Sequence, residues 1–143
     1  MRLPFRRLDP TVPLPEYARP GDAGLDLRAG VDAEIAPGER GMIPTGLAVA
    51  IPEGHAGLVL PRSGLASRQG LTLANAPGLI DAGYRGEIVC AVVNLDREQP
   101  VKIARGDRIA QLVVVPLAVV EPEAVDELPE SARGADGFGS TGL

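Results

Sequence analysis

GEIVCAVVNLDREQPVKIARGDRIAQLVVV (86–115) is the stretch that decides the fold. It holds three apolar runs, Gly86–Asn94, Val101–Ala104 and Ile109–Val115, rich in branched residues and separated by LDREQP and ARGDR. Branched side chains fit a pleated sheet better than a helix, and runs this short, bounded by polar, Gly and Pro punctuation, predict strands. Working outward, the same signature predicts strands over Leu25–Ala29, Glu34–Ala36, Gly46–Ile51 and Gly57–Leu60, with turn chemistry in APGER (36–40) and IPEGH (51–55). Only Ala66–Gln69 reads as a helical turn. The expected class is all-β, a sandwich or barrel.

The bulk numbers agree with one such domain. The 143 residues are enough for a single core. With no Trp, 2 Phe and 2 Tyr, that core must be built from Val, Leu, Ile and Ala. Gly (18) and Pro (14) are spread as punctuation and are not pooled in a linker. A net charge of −5 argues against general affinity for nucleic acid or an anionic membrane, while leaving room for one small anion at a local arginine cluster. A single cysteine, Cys90, allows no internal disulfide, and it sits in an apolar run as a small core hydrophobe. That usage fits a reducing, cytoplasmic setting. The greasiest run, LVVVPLAVV (112–120), is far shorter than the roughly 20 residues a spanning helix needs.

Five segments carry more polar chemistry than a scaffold requires: PGDAGLDL (20–27), PRSGLA (61–66), NAPGLIDAGYRGEI (75–88), GDRIAQL (106–112) and RGADGFGSTG (133–142). Singly, each has an ordinary explanation. Asp26 serves as a turn carboxylate, Arg62 and Ser63 as a helix cap, Tyr84 as a strand residue, Asp107 and Arg108 as a hairpin turn, and the last segment as a frayed end. Together they supply what a nucleoside triphosphate requires. Arginines and glycine-flanked N–H groups hold phosphate oxygens, a carboxylate engages Mg²⁺ directly or through water, and aromatics stack on base or sugar. The third segment reads as a glycine-rich hairpin, Asn75–Gly86, carrying Asp81 and Tyr84.

In this order, over residues 20–142, the five segments resemble the five motifs of the homotrimeric dUTPases. The resemblance implies a distorted jelly-roll, or β-clip, sandwich over residues 1–132. It also implies a flexible glycine-rich arm over 133–143 that closes over the site. Three subunits would build three active sites, with the first, second and fourth motifs from one chain, the third from another and the arm from the remaining one. The implied reaction is hydrolysis of dUTP to dUMP and pyrophosphate with Mg²⁺, by water attack on the α-phosphorus. It keeps uracil out of DNA and supplies dUMP for thymidylate synthesis.

By match, Asp26 steadies Mg²⁺ through its water shell. Asp81 holds the attacking water and meets the sugar 3′-OH, and Ser63 hydrogen-bonds oxygens near the α–β bridge. Arg62 and Gln111 contact phosphate, and Gly64 belongs to the substrate-binding set. Asn75, Gly78, Ile80 and Tyr84 enclose uracil and deoxyribose. Arg133 reaches the γ-phosphate, Phe138 stacks over the base, and Gly139 and Ser140 help the arm wrap the phosphates. Asp136 stands where the family usually has glycine, which bears on the arm's geometry. Three alternatives stay open on residues alone. A covalent role for Ser63 would need the sole histidine, His55, beside it. A dCTP deaminase, monofunctional or bifunctional, would need a glutamate base beside Ser63. A nucleotide-binding module without turnover needs none of these.

Overall fold

Alternating apolar residues pair into ladders that are all antiparallel. The computed structural model describes residues 1–132, 134 and 135. Among these, ten strands and one helix follow in the order β1 (Phe5–Arg7), β2 (Leu25–Arg28), β3 (Ala33–Ile35), β4 (Arg40–Val49), β5 (His55–Pro61), α1 (Ser63–Gln69), β6 (Leu71–Leu73), β7 (Gly78–Ile80), β8 (Glu87–Asn94), β9 (Val101–Ile103) and β10 (Arg108–Pro116). One four-stranded sheet runs β2-β10-β5-β7, the other β1-β4-β8-β6, and β3 pairs with β9. The all-β jelly roll implied by the sequence is the fold observed.

The register follows from burial. In β8, Ile88, Cys90, Val92 and Asn94 are buried while the residues between them are more exposed. Strand β10 pairs on both sides, setting Gln111 opposite Asp26 of β2 and opposite Leu60 of β5. Leu27, Val49, Val59, Val92, Ile109 and Leu112 belong to one aliphatic cluster, and Phe5 packs only at its margin. Among the described residues the core holds no buried aromatic ring, in keeping with the aliphatic core expected from the composition.

Two differences from the sequence expectations have physical causes. Strand β4 begins at Arg40, six residues before the expected start, and Pro44 lies inside it. Proline lacks an N–H, and it is accommodated here because the β4–β8 register shifts between Pro44 and Ala48. The second difference is the Asn75–Gly86 hairpin, which does not form. Strand β7 pairs with β5, whereas β8 pairs with β4 and β6. The segment crosses from one sheet to the other and leaves a cleft where a hairpin ladder would have been.

Asn94 locks the end of β8. It is fully buried, and its Nδ2 donates to Ile35 O at 3.0 Å and Gln99 O at 2.9 Å, while Oδ1 accepts from Asp96 N at 2.9 Å. Asn94→Ala should cost about 2–4 kcal/mol, because the partners left behind have no water to replace the amide. Urea unfolding of wild type and variant, compared at the transition midpoint, measures this.

Candidate active site

The expected site residues that the structure describes fall into two clefts. The first lies at the junction of β2, β10 and the β5–α1 connection, lined by Asp22, Gly24, Asp26, Arg62, Ser63 and Gln111 among others. Asp26 is buried in β2 and is not a turn carboxylate. A buried carboxylate requires compensation, and two arginines provide it. Arg62 Nε stands 3.3 Å from Oδ1, and Arg108 Nη1 donates to Oδ2 at 3.2 Å. Arg62 Nη1 also donates to the Arg108 carbonyl at 3.1 Å, closing a ring of contacts. Arg62 is the N-cap residue of α1 and its side chain makes no capping bond, so the capping explanation fails. Gln111 donates from Nε2 to Pro61 O at 3.0 Å. Its side chain lies across Gly24, where a Cβ would come within 2.5 Å of Oε1. Glycine at 24 is what lets the amide lie flat in this cleft.

The second cleft is the gap between β7 and β8. Asn75, Gly78, Ile80, Asp81 and Tyr84 line it, with Val59 and Cys90 among the other lining residues. Ala76–Pro77 is a cis peptide in the turn leading into β7. Asp81 is exposed, and its carbonyl accepts from Tyr84 N at 3.1 Å, so a tight turn presents both residues. Tyr84 follows this turn and lies in no strand. Its hydroxyl donates to Glu87 O at 2.8 Å, and its ring lies so close over Gly86 that a Cβ there would collide with it.

Among the described residues the two clefts share no lining residue. Val59 lines the second and Leu60 the first. Consecutive residues of a strand point to opposite faces, so β5 separates them. Of the arm residues expected in the site, Arg133, Phe138, Gly139 and Ser140 lie outside the described residues, as does Asp136. His55 opens β5 while Ser63 follows its far end, on the order of 20 Å away at strand rise. His55 Nδ1 lies instead 3.1 Å from Glu53 O. The histidine required for a covalent Ser63 is therefore absent from its surroundings.

The dUTPase family model matches residues 11–142. The chain belongs to the dUTPase family. This dUTPase is 58% identical over 142 residues to the deoxyuridine 5′-triphosphate nucleotidohydrolase of Thermobifida fusca, covering 99% of this chain and 79% of that one. It is 63% identical over 138 residues to the enzyme of the same name from Streptomyces coelicolor, covering 96% and 75%. Among solved structures, a Staphylococcus bacteriophage 80alpha dUTPase mutant with dUpNHpp superposes with a TM-score of 0.92 at 31% identity, over 99% of both chains. A mutant dUTPase from phage phi11 of S. aureus, described as coordinating a structural Mg(II) ion, does so with 0.81 at 30% identity, over 89% and 98%.

Two residues that shape this dUTPase's clefts escape a reading by motif. Gly24 is one. The other is Arg108, whose signal is the adjacent buried pair Ile109 and Ala110, a break in strand alternation that marks a bulge. Among the described residues no group of three or more His, Cys, Asp or Glu converges to hold a metal, and no helix is long and apolar enough to cross a membrane.

Cys90 lies beneath the second cleft. Burial pushes its thiol up to about 12 from an ordinary 9.0. The nucleophilic thiolate is thus suppressed at neutral and mildly alkaline pH. At pH 8 a thiol reagent should label the native protein at least about 100-fold more slowly than the urea-unfolded chain. A spectrophotometric labelling time course provides the measurement.

Proposed function

We propose that this dUTPase hydrolyses dUTP to dUMP and pyrophosphate in the presence of Mg²⁺, and that each site is completed between copies of the chain in a homotrimer. The observation that carries the assembly is the separation of the two clefts across β5. The phosphate-type donors, Arg62, Ser63, Gly64 and Gln111, line one, and Asn75, Gly78, Ile80, Asp81 and Tyr84 line the other. A single nucleotide has base and triphosphate joined, so it reaches both sets only when the cleft of one copy faces the opposite cleft of another.

In this reading the second cleft takes deoxyuridine. Small residues let the backbone reach the imide edge of uracil, and main-chain donors and acceptors distinguish it from cytosine, whose reversed pattern would leave buried groups unpaired. Tyr84, held by its bond to Glu87, underlies the sugar and leaves no room for a 2′-OH. An added methyl on the base meets a filled slot, which costs a few kcal/mol.

The first cleft takes the phosphates. Arg62 and Gln111 donate to phosphate oxygens, each charge-assisted bond contributing roughly 1.5–3 kcal/mol. Ser63 donates near the α–β bridge, where negative charge grows as that bond breaks. Asp81 orients a water for attack at the α-phosphorus and takes its proton. The new P–O bond forms as the bridge oxygen leaves with pyrophosphate. Such reactions rely on positioning and charge stabilisation more than on strong bases.

Asp26 is a single carboxylate, and Mg²⁺ retains several waters and binds through one or two carboxylates plus substrate phosphates. The donor set therefore fits a hydrated ion carried by the triphosphate, with Asp26 accepting from its water shell, and it does not fit a protein cage. When bound, the ion supplies charge neutralisation to the phosphates. Residues 133–143 are proposed as the arm, with Arg133 at the γ-phosphate, Phe138 over the base, and Gly139 and Ser140 along the phosphates. Ordering it costs roughly 1–2 kcal/mol per residue, which base and triphosphate together offset.

Incubation with dUTP, dCTP, dTTP and UTP plus Mg²⁺ should release pyrophosphate from dUTP alone. Ammonia from dCTP would replace this reading with a deaminase, and binding with no product would replace it with a non-catalytic module. Asp81→Asn should still bind dUTP while kcat falls at least about 100-fold, the scale of a lost general base. Truncation after Ala132 should lower kcat/KM strongly and leave the far-UV spectrum and sedimentation unchanged. Unchanged kinetics would remove the arm from the site.

A further inference from the structure

Arg108 sits at a local irregularity in β10. Between Arg108 and Ala110 the β2–β10 register shifts by one residue, so Arg108 stands opposite Arg28, while Gln111 stands opposite Asp26. In a regular strand, residues 108 and 111 point to opposite faces. The bulge restores them to the same face, and the Arg108 guanidinium reaches Asp26 from there.

The turn before the bulge is pinned on several sides. Ala104 N donates to Asp107 Oδ2 at 2.9 Å, Gly106 N to Ala29 O at 2.8 Å, and Ala29 N to Asp107 O at 2.8 Å. Arg28 Nη1 donates to Gly106 O at 2.9 Å. Arg105 N donates to Asp32 Oδ1 at 2.7 Å, and its guanidinium pairs with Asp9 at 2.7 Å. The backbone that launches Arg108 is thus fixed independently of any ligand.

The two guanidiniums on Asp26 differ in placement. Arg62 lies in the connection between β5 and α1 and lines the cleft with Ser63 and Gln111. Arg108 does not line that cleft, and it approaches the carboxylate through the other oxygen. Arg62 thus shares the cleft with Ser63 and Gln111, while Arg108, the more exposed of the two, pairs with Asp26 from outside that cleft. A carboxylate this buried cannot be left without a counter-ion cheaply.

We propose that Arg108 is a positioning residue, the standing counter-ion of Asp26 that frees Arg62 to leave the carboxylate and engage the triphosphate. This rests on the proposed function, since it presumes that the first cleft receives phosphates. With Arg108 in place, departure of Arg62 uncovers Oδ1 alone, which is then able to accept a hydrogen bond from the ligand's hydration shell. Without Arg108, Arg62 is the one cation left on Asp26 among the described residues and is held there.

The test is calorimetric binding of dUpNHpp and of dUMP at fixed Mg²⁺ to the full chain and its variants. Wild type binds dUpNHpp; failure to do so overturns the proposed function itself. Arg108→Gln should weaken dUpNHpp at least about tenfold, leaving dUMP within about threefold, as expected when an arginine is retained by a buried carboxylate. Arg108→Lys should recover part of the loss, since it restores the charge without the planar fork.

In an Asp26→Asn background, Arg108→Gln should have no further effect on dUpNHpp, because no carboxylate remains to hold Arg62. That last comparison still decides the matter if Arg108→Gln alone fails to fold. Equal loss of both ligands, no loss of either, or an undiminished effect in the Asp26→Asn background would each overturn the role assigned to Arg108.

Discussion

Strand β10 is hydrogen-bonded on both edges, and the rest of the molecule takes its register from that double ladder. One flank sets Gln111 against Asp26, the other sets it against Leu60. A slip of one residue would turn Leu112 out of the core and Gln111 into it. The aliphatic contacts that resist such a slip are therefore the same ones that aim a buried carboxylate, an amide and two guanidiniums toward one place. In this fold the packing of the core and the geometry of the polar cleft are a single constraint.

Much of the architecture was legible because its cause is local. Branched runs such as Gly57–Leu60 and Ile109–Val115 had few alternatives to strand, and the polar turns between them marked where chains reverse. What escaped was decided at a distance. The three-residue strands β1, β6 and β7 exist because longer neighbours offer them an edge, and three residues carry no period of their own. The segment 75–86 has the composition of a hairpin, yet its two ends satisfy their backbone groups in different sheets. Only the demand of β8 for partners on both sides distinguishes the two outcomes.

The site shows the same division. Asp26, Arg62, Ser63, Asp81, Tyr84 and Gln111 were expected in the site because glycine-flanked polar residues in that order resemble a known family. Their distribution between two faces of β5 was not, since facing is a property of register and not of residue type. Gly24 and Arg108 were hidden for another reason. Each acts on a neighbour, Gly24 by leaving room for the Gln111 amide and Arg108 by pairing with the Asp26 carboxylate, and the one trace of either in the chain is the adjacent apolar pair Ile109 and Ala110.

The placement of the two clefts on opposite faces of one strand carries a genetic consequence. On the shared-site reading, a lesion in the cleft holding Asp81 and a lesion in the cleft holding Arg62 damage different halves of any given site. Two chains, each inert when expressed alone, would then regenerate some intact halves-in-register when co-assembled. Recessive alleles of this locus would accordingly sort into two complementation classes, drawn along the two faces of β5.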